Sequence, residues 1–229
     1  MDNSWLERQT SLIGEEATDK LVSSSVMIFG LGGVGSFTAE AVSRCGVGKI
    51  VLVDFDTVSL SNINRQLVAD TTTVGMKKTE VMAERIHKIN PNCTVIQKDI
   101  FITPENASQI INSEKIDFVV DAIDNVSAKL AIIEHCQKNN IGIISSMGTG
   151  NKLDPFKFKI CDINKTSVCP LARVIRHELK IRDIKNVDVL YSFEEQTVKG
   201  NRTPASISFV PSVAGLMLAK HVILKLIEL

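Results

Sequence analysis

The feature that most constrains this chain is a cluster of glycines directly after a short apolar run. Residues 26–29 are all apolar, and glycine occupies four of the next six positions. Gly30, Gly32 and Gly35 have the G-x-G-x-x-G spacing of dinucleotide-binding turns. Glycine lets the backbone approach a phosphate closely, and the free N–H groups at a helix start favour an anion. The stretch therefore predicts a strand, a phosphate-binding turn and the start of a helix.

An acidic residue at the end of the next apolar run supports a nucleotide as the ligand. Asp54 follows residues 50–53, where a ribose-binding acid is expected. Strand and helix patterns then alternate, with short connections, through the first two thirds of the chain. We expect an α/β fold with a Rossmann-like, doubly wound, mostly parallel sheet. Helices should cover both faces, and the C-terminal end should add strands and a helix.

The regular alternation of strand and helix patterns ends beyond Asn151. We nevertheless expect a single domain of residues 1–229. Residues 1–152 are predicted to form the nucleotide-binding core, and residues 153–229 a C-terminal part. In that part, residues 156–160 alternate apolar and basic side chains like a half-exposed strand, and residues 194–203 are polar and predict a loop. Residues 210–229 are rich in aliphatic side chains but include the basic residues Lys220, His221 and Lys225, which favours a buried or partner-facing helix over a membrane span.

Composition narrows the class of protein. Lys and Arg total 26 and so do Asp and Glu, so overall charge favours neither a nucleic acid nor a membrane partner. The five cysteines form no C-x-x-C pair, which argues against a structural zinc site or a redox pair. An odd cysteine count and a polar N-terminus are typical of a cytoplasmic protein.

Polar residues that follow separate predicted strands indicate more than dinucleotide binding. Asn62, Arg65, Lys78 and Asp124 should meet at one edge of the sheet, where the carboxyl ends of parallel strands lie. Two cations, an amide and a carboxylate suit a triphosphate with Mg²⁺. Since the P-loop sequence G-x-x-x-x-G-K-[ST] is absent, we expect a wider turn that allows attack on the α-phosphate. A carboxylate substrate would then become an acyl-adenylate.

Five ordered motifs carry a family resemblance: residues 30–36, residues 54–56, residues 61–66, Lys78, and Asp124 with Asn125. Together they resemble the ThiF/MoeB/HesA family, the bacterial relatives of ubiquitin-activating enzymes. The resemblance implies that ATP and Mg²⁺ are used to adenylate a carboxylate. The nucleotide-binding residues that it implies are Gly30, Gly32, Gly33, Gly35, Asp54, Asp56, Asn62, Arg65, Gln66, Lys78 and Asn125.

The same resemblance assigns roles to individual residues. Asp54 would bind the ribose hydroxyls, while Asn62, Arg65 and Lys78 would hold the phosphates. Asp124 would bind the magnesium ion. Asp121, three residues earlier, competes for that role, although it could instead cap the turn that follows its strand. Arg8 is similar to the family arginine that reaches the ATP of the other subunit, which implies a homodimer. The implied catalytic residues are Arg65, Lys78, Asp124 and Arg8.

The last third of the chain is similar to one branch of that family, the tRNA threonylcarbamoyladenosine dehydratases. Residues 150–155, 162–166, 169–173 and 206–216 carry this similarity. It implies adenylation of the threonyl carboxylate on the modified adenosine beside the anticodon, followed by ring closure with net loss of water. The C-terminal part would then bind substrate and contribute to the dimer. The basic excess of residues 157–185 would meet the anticodon stem-loop of the tRNA.

Other interpretations remain open at this point. An activator of a ubiquitin-like sulfur carrier would adenylate a Gly-Gly terminus, although members of that branch typically hold zinc through two C-x-x-C pairs. A dinucleotide-dependent oxidoreductase or a nucleotide sensor would leave Arg65 and Lys78 dispensable. Cys169, before Pro170, is interpreted as an inert thiol rather than a thioester or persulfide carrier. A sulfur-relay partner protein is possible, and no membrane partner is expected.

Overall fold

Six of the seven strands in the sheet run parallel, and only the edge strand β6 is antiparallel to its neighbour. The computed structural model describes residues 4–196 and 204–228, and it gives the strand order β3-β2-β1-β4-β5-β7-β6. The predicted α/β class with a mostly parallel, Rossmann-like sheet is confirmed. The strands are β1 (Ser25–Phe29), β2 (Lys49–Val53), β3 (Thr94–Lys98), β4 (Phe118–Asp121), β5 (Gly142–Ser146), β6 (Phe158–Asp162) and β7 (Asp188–Ser192).

Helices cover both faces of this sheet. Alternate residues of β1 serve the two faces: Val26 and Ile28 belong to one apolar core, and Met27 and Phe29 to the other. The helices are α1 (Glu7–Ile13), α2 (Glu15–Ser23), α3 (Gly35–Arg44), α4 (Lys78–Ile89), α5 (Ala107–Asn112), α6 (Val126–Lys138), α7 (Pro170–Ile181) and α8 (Phe209–Leu226). The first core includes side chains of α3, α4 and α8, and the second includes side chains of α5, α6 and α7.

The C-terminal part extends the sheet in a way that differs from the sequence prediction. The strand expected at residues 156–160 begins two residues later, because a 3-10 turn precedes it. This turn starts at Pro155, and the Asp154 carboxylate caps it by accepting a hydrogen bond from the Phe156 N–H. Helix α7 and strand β7 have no counterpart among the predicted elements. β7 lies between β5 and β6 and pairs with both. Of the loop predicted at residues 194–203, residues 197–203 lie outside the described part.

Helix α8 is long and apolar enough to cross a membrane by length and composition alone, and it is the one helix of the described residues that meets this test. In the fold it packs against α3. The Thr38 hydroxyl donates to the Gly215 carbonyl at 3.0 Å, and a Cβ at Gly215 would lie 2.3 Å from the Val34 carbonyl oxygen. The glycine therefore sets the close approach of the two helices, which fixes α3 and the turn before it.

Candidate active site

A cleft of about 700 Å³ lies at the carboxyl ends of β1, β2, β4 and β5. This is the edge at which open α/β sheets bind ligands. Most of the residues singled out from the sequence line it. Those that do are Gly30, Gly32, Gly33, Asp54, Asp56, Asn62, Arg65, Gln66, Lys78, Asp124 and Asn125.

The glycine turn is held by contacts that only glycine permits. Gly30 has a φ of 86°, and a Cβ there would lie 2.8 Å from the Ala122 carbonyl oxygen. Gly35 is the first residue of α3, and a Cβ there would lie 1.8 Å from the Gly30 carbonyl oxygen. Gly35 is not among the residues that line the cleft. It supports the turn from beneath, because it lets the first turn of α3 pass close to Gly30.

Asp54 ties the glycine turn to the loop after β2. Its carboxylate is 8% exposed and accepts hydrogen bonds from the Leu31 N–H at 2.6 Å and from the Asp56 N–H at 2.8 Å. Each carboxylate oxygen can accept more than one hydrogen bond, so these contacts are compatible with the predicted ribose contact. The position of the side chain is thus set before any ligand arrives.

The two predicted phosphate-binding cations are also held by neighbours. Lys78, the first residue of α4, is 4% exposed, and its Nζ lies 2.7 Å from Asp56 Oδ2. The Arg65 guanidinium donates to the Ser61 carbonyl and to Asn64 Oδ1, both at 2.8 Å. Cations that neighbouring groups already hold in place lose little side-chain freedom when an anion binds, so both residues suit phosphate binding.

Two amide side chains complete this wall of the cleft. Asn62 Oδ1 accepts a hydrogen bond from the Ser59 N–H at 3.1 Å, which shapes the short 3-10 turn before Arg65. Gln66 is 8% exposed, and its Oε1 is one of two buried side-chain polar atoms without a hydrogen-bond partner among the described residues. An unpaired buried acceptor costs about 1–3 kcal/mol, so Gln66 suits a ligand that supplies a donor.

The structure separates the two aspartates that competed for the metal role. Asp121 is completely buried, and its Oδ2 accepts hydrogen bonds from Lys129 Nζ at 2.8 Å and from the Ser145 hydroxyl at 2.6 Å. Asp124 is exposed and lines the cleft. Of the two carboxylates, only that of Asp124 is therefore accessible to a ligand.

The donor set around Asp124 suits magnesium with a nucleotide better than a closed metal site. Over the described residues, no group of three His, Cys, Asp or Glu side chains could hold a metal ion. Mg²⁺ at nucleotide sites commonly takes one or two carboxylates together with phosphate oxygens. A single accessible carboxylate at Asp124 fits that pattern. The side-chain oxygen of Asn125 already has a structural role, because it caps α6 by accepting a hydrogen bond from the Ala128 N–H at 3.0 Å.

Arg8 lies apart from the cleft. It is exposed on α1 and is not among the lining residues. Its predicted role concerns the ATP of a second subunit, so it stays a prediction.

The cysteines are mostly buried. Burial raises the pKa of Cys93 and of Cys136 to about 12, which keeps both thiols protonated at neutral pH. Cys169 is 5% exposed at the N-terminus of α7. Nearby Lys152 has a pKa lowered by burial, an effect that Cys169 and Glu194 partly oppose.

The exposed basic residues of the stretch 157–185 fall into two groups. Arg182 and Lys185 form ion pairs with Glu178 at 2.6 Å and with Asp183 at 2.8 Å. The remaining exposed cations make no ion pair within residues 4–196 and 204–228, which leaves their charge for a partner. They are Lys159, Lys165, Arg173 and Lys180.

One charged residue near the cleft has no counterpart in the sequence predictions. Lys129, on α6, is completely buried and pairs with Asp121. Its position in the sequence could have indicated this burial. It lies on the same face of α6 as three buried residues that follow it by three, four and seven positions, namely Ile132, Ile133 and Cys136. A lysine on the apolar stripe of a helix indicates a buried ion pair.

The family assignment rests on comparison with known sequences. A model of the ThiF family matches residues 6–229. This chain belongs to the ThiF family. The tRNA threonylcarbamoyladenosine dehydratase of Bacillus subtilis is 42% identical over an alignment of 239 positions, which covers 96% of this chain and 94% of that protein. The Escherichia coli dehydratase is 41% identical over 183 residues, or 79% of this chain and 68% of that protein.

Solved structures of this family share the architecture. The crystal structure of E. coli tRNA N6-threonylcarbamoyladenosine dehydratase in complex with ATP superposes with a TM-score of 0.92 at 36% identity. The match covers 99% of this chain and 96% of that chain. The ThiF-family resemblance, which the motifs between residues 30 and 125 carried, is therefore confirmed. The similarity of the last third of the chain to the tRNA threonylcarbamoyladenosine dehydratases is confirmed as well.

Proposed function

We propose that this protein is an ATP-dependent tRNA threonylcarbamoyladenosine dehydratase. Two similar proteins that align with most of the chain bear this name, and an E. coli protein of that name has been solved with ATP. The observation that carries the proposal is the cleft itself. It brings the glycine turn, Asp54, Lys78, Arg65 and Asp124 to one edge of the sheet from separate stretches of the chain.

The first chemical step is activation of the threonyl carboxylate. A carboxylate oxygen attacks the α-phosphorus of ATP, an acyl-adenylate forms and pyrophosphate leaves. Lys78 and Arg65 offset the negative charge that grows on the phosphates, and the N–H groups after the glycine turn bind the phosphate chain. Mg²⁺ held by Asp124 would supply further charge neutralisation.

The second step is ring closure within the same nucleoside. The neighbouring ureido group attacks the activated carbonyl carbon, and AMP leaves with the oxygen that came from the carboxylate. Because the nucleophile belongs to the substrate, the enzyme's task is to hold it in place and keep water away. No covalent enzyme intermediate is required and no sulfur is consumed, so the reaction needs neither Cys169 nor a sulfur-relay partner.

The tRNA and the second subunit belong to the same proposal. The unpaired cations Lys159, Lys165, Arg173 and Lys180 would neutralise phosphates of the anticodon stem-loop. Arg8 would reach the ATP of the other subunit in a homodimer. A tRNA substrate also supports the cytoplasm as the location of the enzyme.

The direct test follows the mass of the substrate nucleoside. The purified protein is incubated with ATP, Mg²⁺ and tRNA that carries threonylcarbamoyladenosine, and the tRNA is then digested gently for mass spectrometry. We expect that nucleoside to lose one water only when ATP is present. A matched reaction uses tRNA that lacks the modification, and we expect no AMP above background there.

A different result would favour the sulfur-carrier interpretation. No change in the nucleoside, with pyrophosphate exchange that appears only on addition of a carrier protein ending in Gly-Gly, would overturn the dehydratase proposal.

A further inference from the structure

The buried pair of Lys129 and Asp121 connects the two loops that form the inner end of the cleft. Lys129 Nζ lies 2.8 Å from Asp121 Oδ2, 3.2 Å from the Ser145 hydroxyl and 3.0 Å from the Ser146 carbonyl oxygen. An ammonium group has three donors, and all three find an acceptor here. Lys129 and Asp121 are both completely inaccessible to solvent.

One side of this pair fixes the β4 loop, which we define as residues 122–125. Asp121 is the last residue of β4, opposite Phe29 in the sheet, and its Oδ1 accepts from the Ile123 N–H at 3.3 Å. The next residue, Ala122, packs against Gly30 of the glycine turn and donates its N–H to the Phe29 carbonyl at 2.9 Å. The loop then carries Asp124 into the cleft.

The other side of the pair fixes the β5 loop, which we define as residues 147–150. Ser145 and Ser146 end β5, and all four residues of the β5 loop line the cleft. Met147 continues the strand by donating its N–H to the Leu190 carbonyl at 2.7 Å. The ammonium group therefore joins the last residues of two neighbouring strands directly beneath the loops that follow them.

Stability alone does not account for this arrangement. A buried ion pair repays its desolvation poorly, and an apolar pair of similar volume is often as stable or more so. An apolar side chain at position 129 would fill the same space between α6 and the sheet. It would not fix the distance between the β4 and β5 loops.

We propose that Lys129 is a positioning residue, which holds the Asp124-bearing β4 loop and the β5 loop in the spacing that the reaction requires. This inference rests on the proposed adenylation and cyclisation. Lys129 acts through Asp121 and the ends of β4 and β5, and it touches no reacting atom itself.

The test uses a double variant, Lys129→Met with Asp121→Asn, so that no buried charge is left without a partner. We expect a folded protein whose kcat for nucleoside dehydration falls about 30-fold or more, since small misplacements of reacting groups are costly. The KM for ATP should change less than about threefold, because the glycine turn and Asp54 are untouched. Lys129→Arg keeps the charge and the donors and should recover at least part of the lost kcat.

A second measurement does not depend on turnover. Hydrogen–deuterium exchange without nucleotide should be about tenfold faster in the β4 and β5 loops of the double variant, and unchanged in β1 to β3. The matched control is Lys138→Met on the same helix, whose ion pair with Glu134 is exposed. We expect it to change neither exchange nor kinetics.

The outcomes are distinguishable. The role of Lys129 would be overturned if the folded double variant kept the wild-type kcat, or if its catalytic efficiency fell only through a higher KM. Unchanged exchange in both loops would do the same. If the wild-type protein fails to dehydrate the nucleoside while both loops loosen in the variant, the proposed function is wrong and the coupling of the loops stands.

Discussion

The two walls of the cleft differ in charge. Every charged lining residue comes from the nucleotide wall, which we define as the lining up to residue 125; they are Asp54, Asp56, Arg65, Lys78 and Asp124. The rest of the lining, from Ser146 onward, which we call the neutral wall, includes Leu171, Pro204 and Pro211 and has no charged side chain among the described lining residues. One wall is thus polar and held in advance, and the other is neutral.

This difference indicates that the two walls have different tasks in the reaction. Groups that are positioned before the ligand arrives stabilise developing charge without reorganising. A neutral wall contributes shape and excludes water, which an activated carbonyl requires if a nucleophile within the substrate is to win over hydrolysis. The cations of the C-terminal part lie outside the lining, so they are expected to affect RNA binding rather than chemistry.

The largest effect is expected from a glycine that supports the nucleotide wall. Gly35→Ala would place a Cβ 1.8 Å from the Gly30 carbonyl oxygen, so the turn must shift and ATP binding should be lost. Gly148→Ala, in the neutral wall, has nothing within 4 Å of its new Cβ and serves as the matched control. Calorimetric titration with ATP and Mg²⁺ checks both variants. Comparable ATP affinity in the two would remove the contrast between the walls.

The second effect concerns the cations that should stabilise the phosphates. Lys78→Ala and Arg65→Ala should each lower the adenylation rate by about 10²-fold or more, as loss of a preorganised transition-state donor does. The fold should survive Lys78→Ala, because the Asp56 side chain that loses its partner is 46% exposed. Lys88→Ala, an exposed lysine on the same helix, is the control. Near-normal turnover in both active-site variants would remove the phosphate roles.

The smallest effect is expected outside the cleft. Arg173→Glu should weaken tRNA binding several-fold and lower the salt dependence of binding by about one unit of slope, while ATP affinity stays unchanged. Lys88→Glu makes the same charge change on a helix of the opposite face. Filter binding of tRNA at several salt concentrations measures both. Equal losses in the two variants would mean that overall charge, and not the surface near α7, attracts the RNA.

Much of the nucleotide wall could be predicted from sequence because its signals are local. The glycine turn, Asp54 after the second strand and the alternation of strands and helices each follow from a few neighbouring residues. Local patterns sufficed for the fold class and for seven residues that line the cleft, and the family resemblance added Gly33, Asp56, Gln66 and Asn125. Gly35 belongs to the same motif, although its contact with Gly30 beneath the turn depends on the exact path of the chain.

The rest depends on tertiary packing that a single sequence does not reveal. Asp121 and Asp124 have the same chemistry three residues apart, and tertiary contacts decide which is accessible: Asp121 is buried against Lys129 and Ser145, whereas Asp124 is exposed. β7 could not be placed because its neighbours in the sheet, β5 and β6, are set by long-range pairing. The division at residue 152 remains a prediction, since strands from both parts form one sheet.

The insertion of β7 has a consequence for biosynthesis. The ribosome delivers β5, then β6, then β7, whereas the finished sheet has β7 in the middle of the three. From the completion of β5 until β7 has emerged, the nascent chain carries an open sheet edge for about 2 to 10 seconds at ordinary elongation rates. In that interval strands β1 to β5 are already synthesised, whereas α8, which packs against α3, and Pro204 and Pro211 of the neutral wall follow later. Codons that slow translation between residues 147 and 187 should therefore prolong the period in which the nascent protein needs a chaperone.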